Sequence, residues 1–283
     1  MHRLAQTAQH MKAGAEPAAA AAEGQAAGVT LLPSTTSAEQ LRLDASKLGQ
    51  LYRYAETMVA SGATPGLCMA IGRGGRQLPP RAWGRSGPDA GEEVNQGLTP
   101  DAELRPDSIF LVASVTKPVV VTAVMQLVQQ GLLSSLDAPV FSILPAFAEH
   151  GNDDPLGFAR TQVTVRHLLT HTSGLPDAIP ENHELRLNQS PLSAFSQHMV
   201  RAPLLFAPGT NISYSSVALN VLGDIIEALN GGVPLPVQLK QRIFEPLGLR
   251  DTTLGIAADR QKPREVCLNL AAGSYLPLHG GLS

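Results

Sequence analysis

The 283-residue sequence predicts an α/β fold of the α+β type, with a sheet-containing part and a block of helices. Three observations lead there. A short apolar run, Leu67 to Ile71, is bounded by glycines and followed by a second candidate strand, Arg81 to Arg85. From Ile109 onward the apolar spacing turns helical, most clearly over Val217 to Leu229. The order helix, strands, helices and then extended residues fits a sheet-containing domain interrupted by a helical insertion.

Taken along the chain, residues 1–38 form an Ala-rich tail expected to be disordered, with eleven alanines in the first thirty residues and no hydrophobic periodicity. Leu41 to Ala60 carries apolar side chains at Leu41, Leu48, Leu51, Tyr52, Ala55 and Val59, the spacing of an amphipathic helix. Pro65-Gly66 is a turn signal ahead of the first strand. Gly72 to Pro80 is expected as a loop, and Gly87 to Pro106, rich in turn formers, as a surface loop.

A long helix is expected within Phe110 to Gly131, with Val121, Val124, Met125 and Val128 on its inner face and Gly131 as its stop. Shorter helices are expected at Val165 to Thr170, Ser193 to Met199 and Val237 to Ile243, with Gln162 to Thr164 extended. Val217 to Leu229 ends at Gly231-Gly232. The expected division is a tail over 1–38, the N-terminal part of a sheet-containing domain over 39–108, and a mostly helical domain over 109–283.

Composition narrows the function classes. With 43% apolar and 16% charged residues, a packed core is attainable and global disorder is excluded. A net charge of −3 gives no chain-wide basic surface, so no nucleic-acid partner is expected. Two cysteines, Cys68 and Cys267, exclude a disulfide scaffold and a multi-cysteine zinc site, and are expected as free buried thiols. No apolar run reaches the ~18 residues of a membrane span. Arg3 and Lys12 are not followed by an apolar stretch, so a cytoplasmic chain is expected, with organelle targeting as the alternative.

Four segments bear on chemistry. In Ser114-Val115-Thr116-Lys117, serine and lysine lie one helical turn apart. A serine hydroxyl needs a nearby base or cation to become a nucleophile, and a helix N-terminus favours the negative charge that develops. The chain has only five lysines, and Lys117 alone has a serine three residues before it. Tyr214-Ser215-Ser216 precedes the Val217 helix, where Tyr214 is a candidate general base or a core aromatic and Ser216 a candidate N-cap. His167 and His171 stand at i and i+4, but without the glutamate of the metalloprotease pattern or a third ligand nearby; His171 fits a helix C-terminal role better than a metal site. Gly72 to Gly75 lacks the spacing of a nucleotide-binding loop.

The segments Phe110 to Pro118, Gly131-Leu132-Leu133, Thr164 to Leu175, Pro208-Gly209 leading to Tyr214-Ser215-Ser216, and Pro246-Leu247-Gly248-Leu249 with Asp251-Thr252-Thr253 occur in one order. Together they resemble the serine β-lactamase-related hydrolases of the class C and penicillin-binding-protein type, a family of esterases, D-aminopeptidases, β-lactamases and DD-peptidases. The resemblance runs from about Leu48 to Ser283. It implies a β-lactamase/transpeptidase-like fold, an antiparallel sheet flanked by helices plus a helical domain. Ser114 is then the acylated nucleophile, Lys117 assists its deprotonation, Tyr214 is the base or relay, and Ser216 supports the network on the substrate-binding side. The Ser114 backbone N–H becomes an oxyanion donor, and Thr172-Ser173-Gly174 a structural turn. No metal and no cofactor are implied, and the partner is a small-molecule ester, lactam or D-amino-acid peptide.

The family also carries a Lys-Thr-Gly or His-x-Gly strand. His279-Gly280-Gly281 has those letters but follows Tyr214 by only 65 residues, and Gly280-Gly281-Leu282-Ser283 instead resembles the segment opening a helix of the helical domain. On that alignment the C-terminal strands are missing, and a truncated, poorly active chain is expected. The leading expectation is therefore a serine hydrolase acting through an acyl-enzyme, esterase before β-lactamase or D-amino-acid peptidase. The alternative is a non-catalytic relic or a scaffold that self-associates through an incomplete sheet.

Overall fold

Asp44 starts the first helix. Its carboxylate accepts from the backbone N–H groups of Ser46 and Lys47 at 2.9 and 3.0 Å, satisfying donors that the first turn leaves unpaired. Helix α1 therefore covers Ala45–Ala60 rather than starting at Leu41, and Arg42, with φ of 52°, lies outside helical geometry. In this computed structural model of the protein the described residues are 36–85, 103–110, 112–149, 155–188, 190, 192–199 and 201–254. The tail up to residue 35, Cys267 and the His279 segment lie outside them.

Strand β1 (Gly66–Met69) is followed by two short strands, β2 (Gly72–Arg73) and β3 (Arg76–Gln77), and by β4 (Arg81–Gly84). β1 and β4 pair antiparallel, with Leu67 opposite Trp83 and Met69 opposite Arg81. The loop expected over Gly72 to Pro80 is instead a hairpin in its first part. Gly74 and Gly75 take φ of 59° and 72°, the left-handed pair that a tight two-residue hairpin turn requires. Helix α1 lies against β4. Tyr52 meets Trp83 at 5.7 Å between ring centroids, and the Arg81 guanidinium sits 4.1 Å above the Tyr52 ring. Cys68 is half-buried rather than buried. Its thiol reaches the Arg105 carbonyl at 3.4 Å, and burial pushes its pKa up, away from the reactive thiolate.

The helical elements follow: α2 (Thr116–Gln129), α3 (Val165–Leu169), α4 (Asn182–Leu187), α5 (Leu192–Met199), α6 (Ser216–Leu229) and α7 (Leu235–Leu239), which runs into a π turn at Lys240–Phe244. Helix α6 is the hub. Val217, Ala218, Val221, Leu222, Ile225 and Ile226 are buried, and it lies against α2, α3, α5 and α7. Each such Val, Leu or Ile side chain contributes about 1.5–3 kcal/mol of burial free energy. The main core cluster draws on residues from Val120 to Phe244.

The inner face of α2 differs from expectation. Val120, Ala123, Val124 and Leu127 are buried, while Met125 is exposed and Val121 and Val128 are half-buried. This helix has apolar side chains on most of its circumference, so periodicity leaves its rotation open and packing against α6 decides it. α4 falls in a stretch where the sequence shows no helical spacing. Arg160, fully buried, donates to the carbonyls of Phe147 at 3.1 Å and Ala202 at 2.6 Å, tying distant loops to the core. Among the described residues no helix is long and apolar enough to cross a membrane.

Candidate active site

Ser114 lies on a 3-10 turn, Ala113–Val115, that runs directly into α2. Ala113, immediately before it, takes φ of 44°, a left-handed conformation that costs a non-glycine residue energy and is held only by its surroundings. The turn leaves Ser114 exposed at the helix N-terminus. Lys117 follows one turn later, half-buried, and its ammonium donates to Ser114 Oγ at 3.2 Å.

Tyr214 comes from the segment before α6, and its hydroxyl stands 2.7 Å from Ser114 Oγ. Lys117 Nζ is 4.6 Å from the centre of the Tyr214 ring. The Lys117 ammonium, bonded to the phenol, and then the Ser114 hydroxyl hold the Tyr214 pKa below its ordinary range, because both favour the phenolate. Ser114, Lys117 and Tyr214 thus form one hydrogen-bonded cluster at the mouth of a helix. It is able to take a proton from the serine and return it to a leaving group.

The Tyr214 segment rests on the residues after α3. Leu205 N–H donates to the Gly174 carbonyl at 2.7 Å, Gly209 to Thr172 at 2.8 Å and Ser213 to His171 at 3.0 Å. Farther on, the Ser215 hydroxyl donates to the Pro176 carbonyl at 2.8 Å. Gly174 must be glycine. Its φ is 82°, and a Cβ would collide with the Phe206 carbonyl oxygen. Ser173 is buried with its hydroxyl accepting from Leu175 N–H at 3.2 Å, so it serves the turn and is no second nucleophile.

Two sequence-based assignments change. Ser215, not Ser216, caps α6: its hydroxyl accepts from Ala218 N–H at 3.0 Å. Ser216 is the first helical residue, and its N–H donates to Asp177 Oδ1 at 2.8 Å. The extended backbone that a cap needs occurs one residue earlier than the apolar pattern suggests. His171 is not an end-cap of its helix. Its Nδ1 accepts from Ser215 N–H at 3.2 Å, and its ring lies 4.8 Å from that of Tyr214. His167 Nδ1 accepts from Thr164 N–H at 3.3 Å, closing a capping box at the other end of α3. Each histidine thus has its own backbone partner. Among the described residues no group of metal-ligating side chains converges. The sequence carries no local signal for Asp177 or for the His171 contacts. The Thr164 to Leu175 motif pointed to the segment but not to what each of its side chains touches.

The family described as Beta-lactamase matches residues 51–280 of the chain. The chain is 37% identical over 199 residues to Esterase EstB of Burkholderia gladioli, a match covering 66% of this chain and 46% of the esterase. Among solved structures it is similar to EstCE1, a hydrolase with promiscuous acyltransferase activity, at TM-score 0.61 and 27% identity, over 77% of this chain and 56% of that one. It is also similar to D-amino acid amidase from Ochrobactrum anthropi SV3, at TM-score 0.60 and 25% identity, over 77% of this chain and 55% of that one. The chain spans about half the length of the curated relatives it matches.

Proposed function

The chain belongs to the Beta-lactamase family, with its β-lactamase/transpeptidase-like fold, and on that premise we propose that it is a serine hydrolase forming an acyl-enzyme on Ser114. The observation that carries the proposal is the position of Ser114 Oγ, 2.7 Å from the Tyr214 hydroxyl and 3.2 Å from the Lys117 ammonium. Tyr214, as phenolate, takes the Ser114 proton as Oγ attacks the substrate carbonyl. The carbonyl π electrons move to oxygen, and the Ser114 N–H at the helix N-terminus is the proposed donor to that oxyanion. Collapse of the tetrahedral adduct expels the alcohol or amine, which takes the proton back from Tyr214. Water then repeats the sequence on the acyl-enzyme and frees the acid. Lys117 keeps its cation beside the phenolate throughout. Ser216, opening α6 next to Tyr214, is proposed to line the substrate side.

The proposed substrates are small esters, supported by the likeness to Esterase EstB. Amides of D-amino acids are the second class, supported by the likeness to D-amino acid amidase. The separation of an N-terminal part (39–108) from a helical part (109–283) belongs to the same proposal; its support is the core cluster, which draws only on residues from Val120 onward.

The test is turnover of p-nitrophenyl butyrate against nitrocefin and a D-amino-acid amide by the full chain, with S114A as control. Ester turnover that S114A abolishes supports the proposal. Equal turnover by S114A refutes the nucleophile, and turnover of nitrocefin alone refutes the ester class.

A further inference from the structure

We infer that His171 is a positioning residue that clamps Tyr214 from both sides, and this rests on the assignment of Tyr214 as general base. The clamp has three contacts. The His171 carbonyl accepts from Ser213 N–H at 3.0 Å. Its Nδ1 accepts from Ser215 N–H at 3.2 Å. Its ring packs on the Tyr214 ring at 4.8 Å between centroids and 34° between planes. Ser213 and Ser215 are the two chain neighbours of Tyr214. Fixing both neighbours fixes the Tyr214 backbone, and the ring contact fixes its side-chain direction. Together they set where the phenol oxygen lies relative to Ser114.

The backbone of His171 gives no steric reason for a histidine at this position. Helix α3 ends at Leu169, and Thr170 is its cap. The next residue takes φ of 59°. Glycine or asparagine fills such left-handed positions after a helix at least cost. Histidine has no steric advantage there. What it adds is an acceptor nitrogen and a flat face, and both are engaged with the Tyr214 segment.

The clamp also constrains protonation. Nδ1 accepts only in the neutral ring, with the proton on Nε2. Burial and then the Lys117 cation push the His171 pKa down, against the opposing pull of Asp177, so the ring is neutral at neutral pH. The charged and titratable groups facing it are Lys117 from α2, Asp177 from the following loop and Tyr214 itself. A neutral imidazole also adds no charge that competes with Lys117 for the phenolate.

The test compares H171G with H171N in the full chain. H171G frees the left-handed backbone and removes the side chain. H171N tolerates the same backbone and returns an acceptor. The readout is the second-order rate at which a fluorophosphonate probe labels Ser114, in the Tyr214 background and in Y214F. H171G is expected to slow labelling by about 10²-fold, the usual cost of displacing a reacting group by an ångström. H171N should recover most of that loss, and H171G should add nothing in Y214F. H171G at the wild-type rate while Y214F is slow overturns the clamp alone. H171N as slow as H171G, or an equal H171G loss in both backgrounds, overturns it too. Y214F at the wild-type rate overturns the base assignment and the clamp with it. If H171G loses its cooperative melt, H171N against H171F makes the same comparison, because Phe keeps the ring and loses the acceptor. H171F slower than wild type supports the clamp, and wild-type rates in both variants overturn it.

Discussion

The Tyr214 hydroxyl and Ser114 Oγ meet at 2.7 Å although 100 residues separate them in sequence. The contact joins the N-terminus of α2 to the N-terminus of α6, and those two helices pack directly on each other through the core. The site is therefore as rigid as the interface beneath it. Replacing Tyr214 with Phe keeps the ring against His171 and removes only the hydroxyl. We expect Y214F to lower kcat/KM for an ester by about 10²- to 10⁴-fold, the range for a lost general base. Its thermal melt should stay near wild type. A loss of melting temperature as large as the loss of activity would show instead that the hydroxyl matters to the fold.

In the proposed mechanism Lys117 sets the pH at which Tyr214 works as the base. Its hydrogen bond to the phenol is the largest influence holding the Tyr214 pKa down. In the proposed mechanism the phenolate is the active form, so activity is expected to rise as pH passes upward through that pKa. In K117M the phenolate loses its cation, the pKa returns towards the ordinary tyrosine value, and the rising limb shifts to higher pH. A tyrosinate absorbance titration, taken as wild type minus Y214F, should shift in the same direction when repeated with K117M as the parent. Limbs that coincide would mean that another group controls the profile.

How legible was this in the sequence? The signals at Ser114, Lys117 and Tyr214 are local ones, each a reactive side chain beside a helix start after an apolar stretch or a turn before one. β1, β4 and α6 were equally plain, since their apolar runs are bounded by glycine or by a turn. What stayed hidden depends on contacts between distant segments. The rotation of α2 is invisible in a helix apolar on most sides. Asp177 meets Ser216 across 39 residues, and His171 meets Ser215 across 44. Ser215 and Ser216 are chemically alike as caps, and only backbone direction distinguishes them. Arg160 reads as a surface cation until the fold surrounds it.

Arg160 carries a stability prediction. It donates to the Phe147 and Ala202 carbonyls within the buried interior. R160M fills similar volume but leaves both acceptors unsatisfied, at about 1–3 kcal/mol each. Urea unfolding should show a loss of that order with an unchanged m-value. A loss below 1 kcal/mol would mean that these bonds are readily replaced.

Asp224 on α6 predicts an opposite effect. Burial raises its pKa to about 6 from 3.8, against the Ser196 hydrogen bond and with help from Glu227. The folded pKa lies above the unfolded one, so the group favours folding below pH 4 and this benefit is lost as pH rises through 6. D224N keeps an acceptor for the Ser196 hydroxyl, bonded at 2.8 Å, and removes the buried charge. It should stabilise the chain at pH 7–8 by about 2 kcal/mol, with the gain disappearing by pH 4. A gain of the same size at both pH values would separate the effect from ionisation.

Covalent acylation of Ser114 is the step on which the proposed function rests. The most direct measurement is peptide mass mapping of the full chain quenched during turnover of p-nitrophenyl butyrate. A butyryl group is expected on the peptide that holds Ser114, absent from S114A and slow to form in Y214F. Release of p-nitrophenol with Ser114 unmodified, or no acylation of Ser114 at all, would contradict it.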